Sequence, residues 1–289
     1  MAIVLENSSI KILIHEKGAE LASLFHKKNA TEYLWQANPQ YWNRHAPLLF
    51  PIIGKLNNDT TIIKDKPYHM TQHGFARDCI FETSHTNEGN VLLKLKSNSE
   101  TQLKYPYEFE LLAEYRLKDT SVEIFYTVNN PSTENIYFSF GLHPAFLWPI
   151  HPTDTKENYF LEFEKNETAD RILFDAGFIT GEKTPWLKNQ NKINLYDQLF
   201  ENDVLIFKNL NSKKITLRSN EHKKFIEVEF AGYPYLGIWT KPGNPFICIE
   251  PWYGIADNKN DPQPFSKKEG VLQLEPHQSF QCSVKYTIG

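Results

Sequence analysis

A chain of 289 residues, 40% hydrophobic and 23% charged, can build a sizeable core and is not a disordered polymer. A net charge of −4 without a long basic run argues against a nucleic-acid partner. No run of eighteen apolar residues suggests a membrane span, and the first residues, MAIVLENSSIK, lack the core and basic flank of a signal peptide. Cys79, Cys248 and Cys282 form no CxxC pair and suit a reducing, cytoplasmic setting.

Period-two alternation recurs from one end of the chain to the other. Ile10, Ile12 and Ile14 alternate with Lys11, Leu13 and His15. Phe109, Leu111, Ala113, Tyr115 and Leu117 mark one later strand, and Val122, Ile124, Tyr126 and Val128 mark the next. Phe280, Cys282, Val284, Tyr286 and Ile288 repeat the pattern near the end. Such alternation is the signal of half-buried antiparallel strands. Turn signals separate them: NEGN, NNPS, KPGN and SKKEG. Helical periodicity is nearly absent; TPWLKNQNK and the stretch near Trp42 read as single turns at most. The expected architecture is all-β, a large antiparallel sandwich forming a single domain over residues 1–289, with no linker or internal repeat. Aromatics are 14% of the chain, a content that serves strands and core packing and also suits sugar platforms.

Three segments interrupt apolar runs with polar groups. TQHGFARD (71–78) sets His73 beside Gly74, with Arg77 following. FSFGLHPAF (138–146) places His143 before a proline. PFICIEPWYG (245–254) ends an apolar run on Glu250. In a central strand that carboxylate is desolvated, which raises its pKa and suits a base; at the surface it is an ordinary strand-end glutamate. His69 and His73 have an H-x-x-x-H spacing, but Met70 stands where a metalloprotease has its glutamate, so no metal site is assigned. Neither G-x-S-x-G nor a Gly-rich phosphate loop occurs.

Taken in order, GAELASL (18–24), APLLFPIIGKLNN (46–58), HGFAR, GLHPAF and ICIEPWYG resemble the aldose 1-epimerase (galactose mutarotase-like) family, over essentially the whole chain. The likeness is greatest to the bacterial branch related to lactose and galactose operons, and HGFAR is shared with the hexose-6-phosphate epimerase branch. The resemblance implies a β-supersandwich and cofactor-independent interconversion of the α and β anomers of a free aldohexose, a small-molecule sugar substrate. It implies Glu250 as general base, His143 as general acid and His73 beside the ring oxygen. Asp203, in ENDVLIF, matches the family's hydroxyl-binding aspartate. Lys55 stands where relatives commonly carry arginine and lacks its two-pronged contact.

The chemistry fits such roles. Opening a hemiacetal removes a proton from the C1 hydroxyl and delivers one to the ring oxygen; closure on the other face reverses both transfers. A carboxylate and an imidazolium flanking one sugar serve both directions. The pH profile is then expected to be bell-shaped, with Glu250 on the acidic limb and His143 on the basic one. Gly74 would leave room for the sugar, and Arg77 would fix the loop or reach the substrate. Trp239 and Trp252 are candidates for stacking on the ring or for the core. Two other readings stand beside this one. Arg44 and Arg77 would clamp a phosphate if the substrate is a hexose 6-phosphate, and a binding protein could keep the sandwich without catalysis.

Overall fold

The computed structural model describes residues 2–87, 89–261 and 263–289; Glu88 of the NEGN turn lies outside them. Strand accounts for 52% of the chain and helix for 7%, as the alternation predicts. All the pairings between named strands are antiparallel. A four-stranded sheet runs Ala2–Glu6, Ile10–His15, Glu20–His26, Thr31–Glu32. A fifteen-stranded sheet takes most of the remainder, and two small two-stranded sheets lie apart from it. No helix among the described residues is long and apolar enough to cross a membrane.

The alternation becomes a packed interior because successive side chains of a strand point to opposite faces. Ile10, Ile12 and Ile14 of the small sheet are fully buried, and they share one cluster with Val91, Leu93, Leu111, Ala113, Val122 and Ile124 of the large sheet. Burying each such side chain stabilises the fold by about 1.5–3 kcal/mol. The Tyr115 hydroxyl donates to the Ala19 carbonyl at 2.6 Å, tying the large sheet to the turn that opens Glu20–His26.

Within the large sheet the neighbours Leu48–Leu49, Phe140–Leu142, Phe246–Tyr253, Tyr235–Trp239 and Leu205–Lys208 stand in that order. Phe246–Tyr253 is buried along nearly its whole length, because both faces are covered. Ile247 and Ile249 enter the main core. Phe246 and Cys248 join a separate apolar cluster and Trp252 another, so the even-numbered residues turn the other way. The same division splits Leu205 and Phe207 from Ile206, and Leu236 and Ile238 from Tyr235. Glu250 therefore lies on the face away from the main core. The strand does not end there, as the sequence suggested, but continues through Pro251 to Tyr253.

One expectation needs correction, and one element escaped the sequence reading. TPWLKNQNK is not a helical turn: it belongs to Phe178–Asn194, one arm of a long hairpin whose other arm is Tyr159–Asp175. The polar, aperiodic run is held extended by pairing with that partner, through several register shifts. The one short α-helix among the described residues, Ser99–Gln102, was not read from the sequence; its Asn98 capping box is local but too short to show periodicity.

Replacing Tyr115 by Phe keeps the ring and leaves the buried Ala19 carbonyl without its donor. Urea denaturation should show a loss of about 1–3 kcal/mol. An unchanged midpoint and slope would mean that this bond contributes nothing to joining the sheets.

Candidate functional site

On the face opposite the main core lies a cleft of about 750 Å³. Of the nine residues singled out in the sequence, Lys55, His73, Arg77, His143, Asp203, Trp239, Glu250 and Trp252 line it. Arg44 does not; its guanidinium pairs with Asp78 at 3.0 Å.

The floor is set by strand register. Phe140 and Gly141 pair with Tyr253 and Trp252, and after a break of three residues in the pairing Ala145 pairs with Cys248 in the same register. Counting inward from either side puts His143 opposite Glu250. The break falls at Pro144, which has no N–H to give to the ladder. Ile249 N–H donates to the Pro144 carbonyl at 3.3 Å, whereas His143 N–H turns away to Pro47 O at 3.1 Å. His143 and Glu250 thus form a non-hydrogen-bonded cross-strand pair, the kind that brings side chains closest. His143 Nε2 lies 3.3 Å from Glu250 Oε2, in ion-pair range but without hydrogen-bond alignment. On the other flank of Glu250 the register places Gly237, which presents no side chain.

Electrostatics pushes the pair apart. Burial raises the Glu250 carboxyl well above its ordinary pKa, and the nearby Asp203 charge adds to this, while the Trp252 indole opposes it. Burial lowers His143 to about 3, with Arg77 and Arg44 repelling its charged form. Both shifts favour neutral groups, and a single proton on the pair resides on the carboxyl. The Trp42 ring stacks on His143 at 5.0 Å, and Trp239 meets it edge-on at 5.7 Å.

His73 is held by its own backbone and by Gly54. Its N–H donates to Gly54 O at 2.9 Å, and its Nδ1 accepts from Gly54 N–H at 3.1 Å. A neutral ring accepting at Nδ1 carries its proton on Nε2. Burial first, then the charges of His143, Arg77 and Arg44, keep this ring neutral by lowering its pKa well below the usual value. It meets His143 at right angles, with centroids 5.5 Å apart.

Gly74 serves a different purpose from the one expected. At φ +70° its missing Cβ would lie 2.3 Å from the Phe50 carbonyl oxygen, so the glycine admits a neighbouring backbone and not the ligand. Arg77 fixes the loop: Nη2 donates to the Gln72 carbonyl, while its buried Nε makes no hydrogen bond and lies 3.8 Å from Asp78 Oδ2. Lys55 Nζ reaches the Ala176 carbonyl at 3.2 Å, joining the cleft to the tip of the long hairpin. Asp203 caps its own turn, accepting from Val204 N–H at 2.8 Å. Trp252 fits against Gly141 and Gly237, where a Cβ would approach its ring within 2.7 and 2.5 Å respectively. It is a packed core ring that also borders the cleft.

Several lining residues were not found from the sequence. Trp42, Gln72, Phe174 and Lys241 come from loops and the hairpin end. Only the aromatic run around Trp42 offered any local signal. The His69–His73 pair does not come together as a ligand cluster; His69 is exposed at the end of Lys66–His69.

Known proteins resemble this chain in sequence and fold. The family model described as aldose 1-epimerase matches residues 1–286. Protein LacX, chromosomal, of Lactococcus lactis subsp. lactis is 35% identical, over 100% of this chain and 99% of its own. The galactose mutarotase related enzyme of Lactobacillus acidophilus superposes with a TM-score of 0.96 at 35% identity, covering 100% of this chain and 97% of that one. A galactose mutarotase-like protein of Lactobacillus casei gives 0.94 at 34% identity, covering 100% of both.

Gly74→Ala should place a Cβ against the Phe50 carbonyl and strain a left-handed backbone, lowering stability by about 2–4 kcal/mol. Chemical denaturation checks this. Wild-type stability in the variant would show that the loop yields without strain.

Proposed function

The chain belongs to the aldose 1-epimerase family, and on that premise we propose that it interconverts the anomers of a free aldohexose by acid–base ring opening and closure. The observation that carries this reading is the cross-strand pair: a buried carboxyl and imidazole 3.3 Å apart on the floor of an open cleft. In the productive state Glu250 is ionised and accepts the C1 hydroxyl proton, while His143 protonates the ring oxygen. The open-chain sugar then rotates about C1–C2, and closure returns both protons. His73, neutral and carrying its proton on Nε2, donates a hydrogen bond to the ring oxygen region without competing for the transferred proton. Asp203 and Lys55 contact hydroxyls at the rim, and Trp239 offers its ring face.

A free sugar is favoured over a sugar phosphate because the arginines are already engaged. Arg44 faces Asp78 and Arg77 holds the Gln72 carbonyl, which leaves no preformed two-arginine clamp. The close, oppositely shifted acid–base pair also favours catalysis over simple sugar binding, since a binding site gains nothing from two desolvated titrating groups.

Glu250→Gln keeps the shape of the side chain but cannot accept the proton. Turnover of α-galactose or α-glucose, followed by polarimetry against the buffer rate, should fall by about two to four powers of ten. Near-normal turnover in this variant would refute the mechanism.

The pH profile follows from the pair as a unit. Below the lowered imidazole pKa both groups hold a proton; above the raised carboxyl pKa neither does. Between these limits the pair holds one proton, and the productive arrangement is the minor form of that state. The bell therefore has its acidic limb on His143 and its basic limb on Glu250, the reverse of the order expected from the sequence. kcat/KM should remain near its maximum at about pH 5, below the ordinary imidazole pKa of roughly 6.5. A steep acid-side loss starting near pH 6.5 would show an unshifted imidazole instead.

A further inference from the structure

Cys248 stands two residues before Glu250 on the same face of Phe246–Tyr253, directly behind the pair. The ligand atoms of His143, Cys248 and Glu250 all lie within 4.8 Å of one another, and all three residues are buried. Ligands around a tetrahedral zinc ion are separated by roughly 3.3–3.6 Å, given bond lengths of about 2.0–2.3 Å. Rotations that move ligand atoms by about 1 Å close that gap. Two polar atoms in this group have no hydrogen-bond partner: His143 Nδ1 and Glu250 Oε2. Buried polar atoms are ordinarily satisfied, and open ones on two neighbouring residues leave capacity for a ligand. The approach is open too, since His143 and Glu250 line the cleft. The other cluster of such groups among the described residues, His15, Glu20 and His45, is half-exposed, and its Glu20 already accepts from the His45 and Ala46 N–H groups.

A sulfur, nitrogen and oxygen donor set suits zinc and its neighbours, not the hard cations that take oxygen ligands alone. We propose that a zinc-class divalent ion binds His143, Cys248 and Glu250, with its fourth position open to the cleft, and so blocks the sugar. Binding forms metal bonds to sulfur, nitrogen and oxygen and releases both the thiol proton and the Glu250 carboxyl proton to water, with no change of oxidation state. The ion and the sugar need the same carboxylate and imidazole, so they exclude each other. That exclusion rests on the function proposed above; the metal site itself does not.

Cobalt(II) chloride is the probe, because thiolate ligation gives it a charge-transfer absorption band. One equivalent should develop this band in the wild-type protein, and added zinc should bleach it. Cys248→Ala should abolish the band, Cys79→Ala should retain it, and His143→Asn should weaken cobalt binding at least about tenfold. Circular dichroism establishes that each variant is folded, and Cys248→Ser provides a second test of the thiol. No band in the wild type, or a band that survives both Cys248 variants, overturns the site. In polarimetry, zinc should slow wild-type turnover, galactose should raise the zinc concentration required, and a chelator should restore the rate. A cobalt band with no effect of zinc on turnover overturns the competition. A cobalt band in a protein without any mutarotation would sink the proposed function and leave the metal site standing.

Discussion

One register carries the site: the antiparallel alignment of residues 140–147 with 246–253, which sets His143 opposite Glu250. Neither strand alone brings an acid to a base. Their side chains meet because both residues fall on the same face and the pair is of the non-hydrogen-bonded type. Pro144 has no N–H to return to Ile249, so that rung keeps only the Ile249 N–H to Pro144 O bond, while His143 N–H reaches Pro47 on the other edge of its strand. A slip of one residue in either strand would turn that strand's titrating side chain to the main-core face, where Ile247 and Ile249 lie, and part it from its partner.

That placement has an electrostatic consequence. A central strand covered on both faces removes water from Glu250, and burial does the same to His143. The molecule tolerates two desolvated polar groups because each can become neutral, which avoids the larger penalty of an isolated buried charge. The arginines contribute at a distance. Arg44 and Arg77, each held by its own partner, repel positive charge on both cleft histidines. His73 and His143 thus share a field but differ in hydrogen bonding: Gly54 fixes the tautomer of the first, while Nδ1 of the second has no partner.

The parts of this architecture that depend on near neighbours could be read from the chain. Alternation at Ile10–Ile14 or Val122–Val128 is a local pattern, and the structure turns those positions inward. The HGFAR, GLHPAF and ICIEPWYG segments each announce a polar residue in an apolar setting, and all three reach one cleft. What could not be read depends on distant partners. Nothing near Arg44 says that Asp78 will hold it, and nothing near Gly74 says that the Phe50 carbonyl lies against it. The hairpin from 159 to 194 is the clearest case. Its polar, Pro-containing second arm lacks a strand's pattern and is extended only because the first arm is beside it. Trp42 was visible as an aromatic, but its stacking on His143 is a product of the loop's path.

The same hairpin divides the labour of the cleft. Its end, through Ala176 and Gly177, forms part of the wall, tied down by Lys55 and by Ile179 N–H to Asp257 O at 3.0 Å. The floor beneath is bound to strict strand parity, whereas the hairpin already accommodates several register shifts. Insertions or deletions near the tip can therefore reshape the rim while leaving the His143–Glu250 geometry untouched. Under the proposed function rim and floor are separable modules, and a hairpin graft between relatives is the natural way to exchange sugar selectivity without touching the acid–base pair.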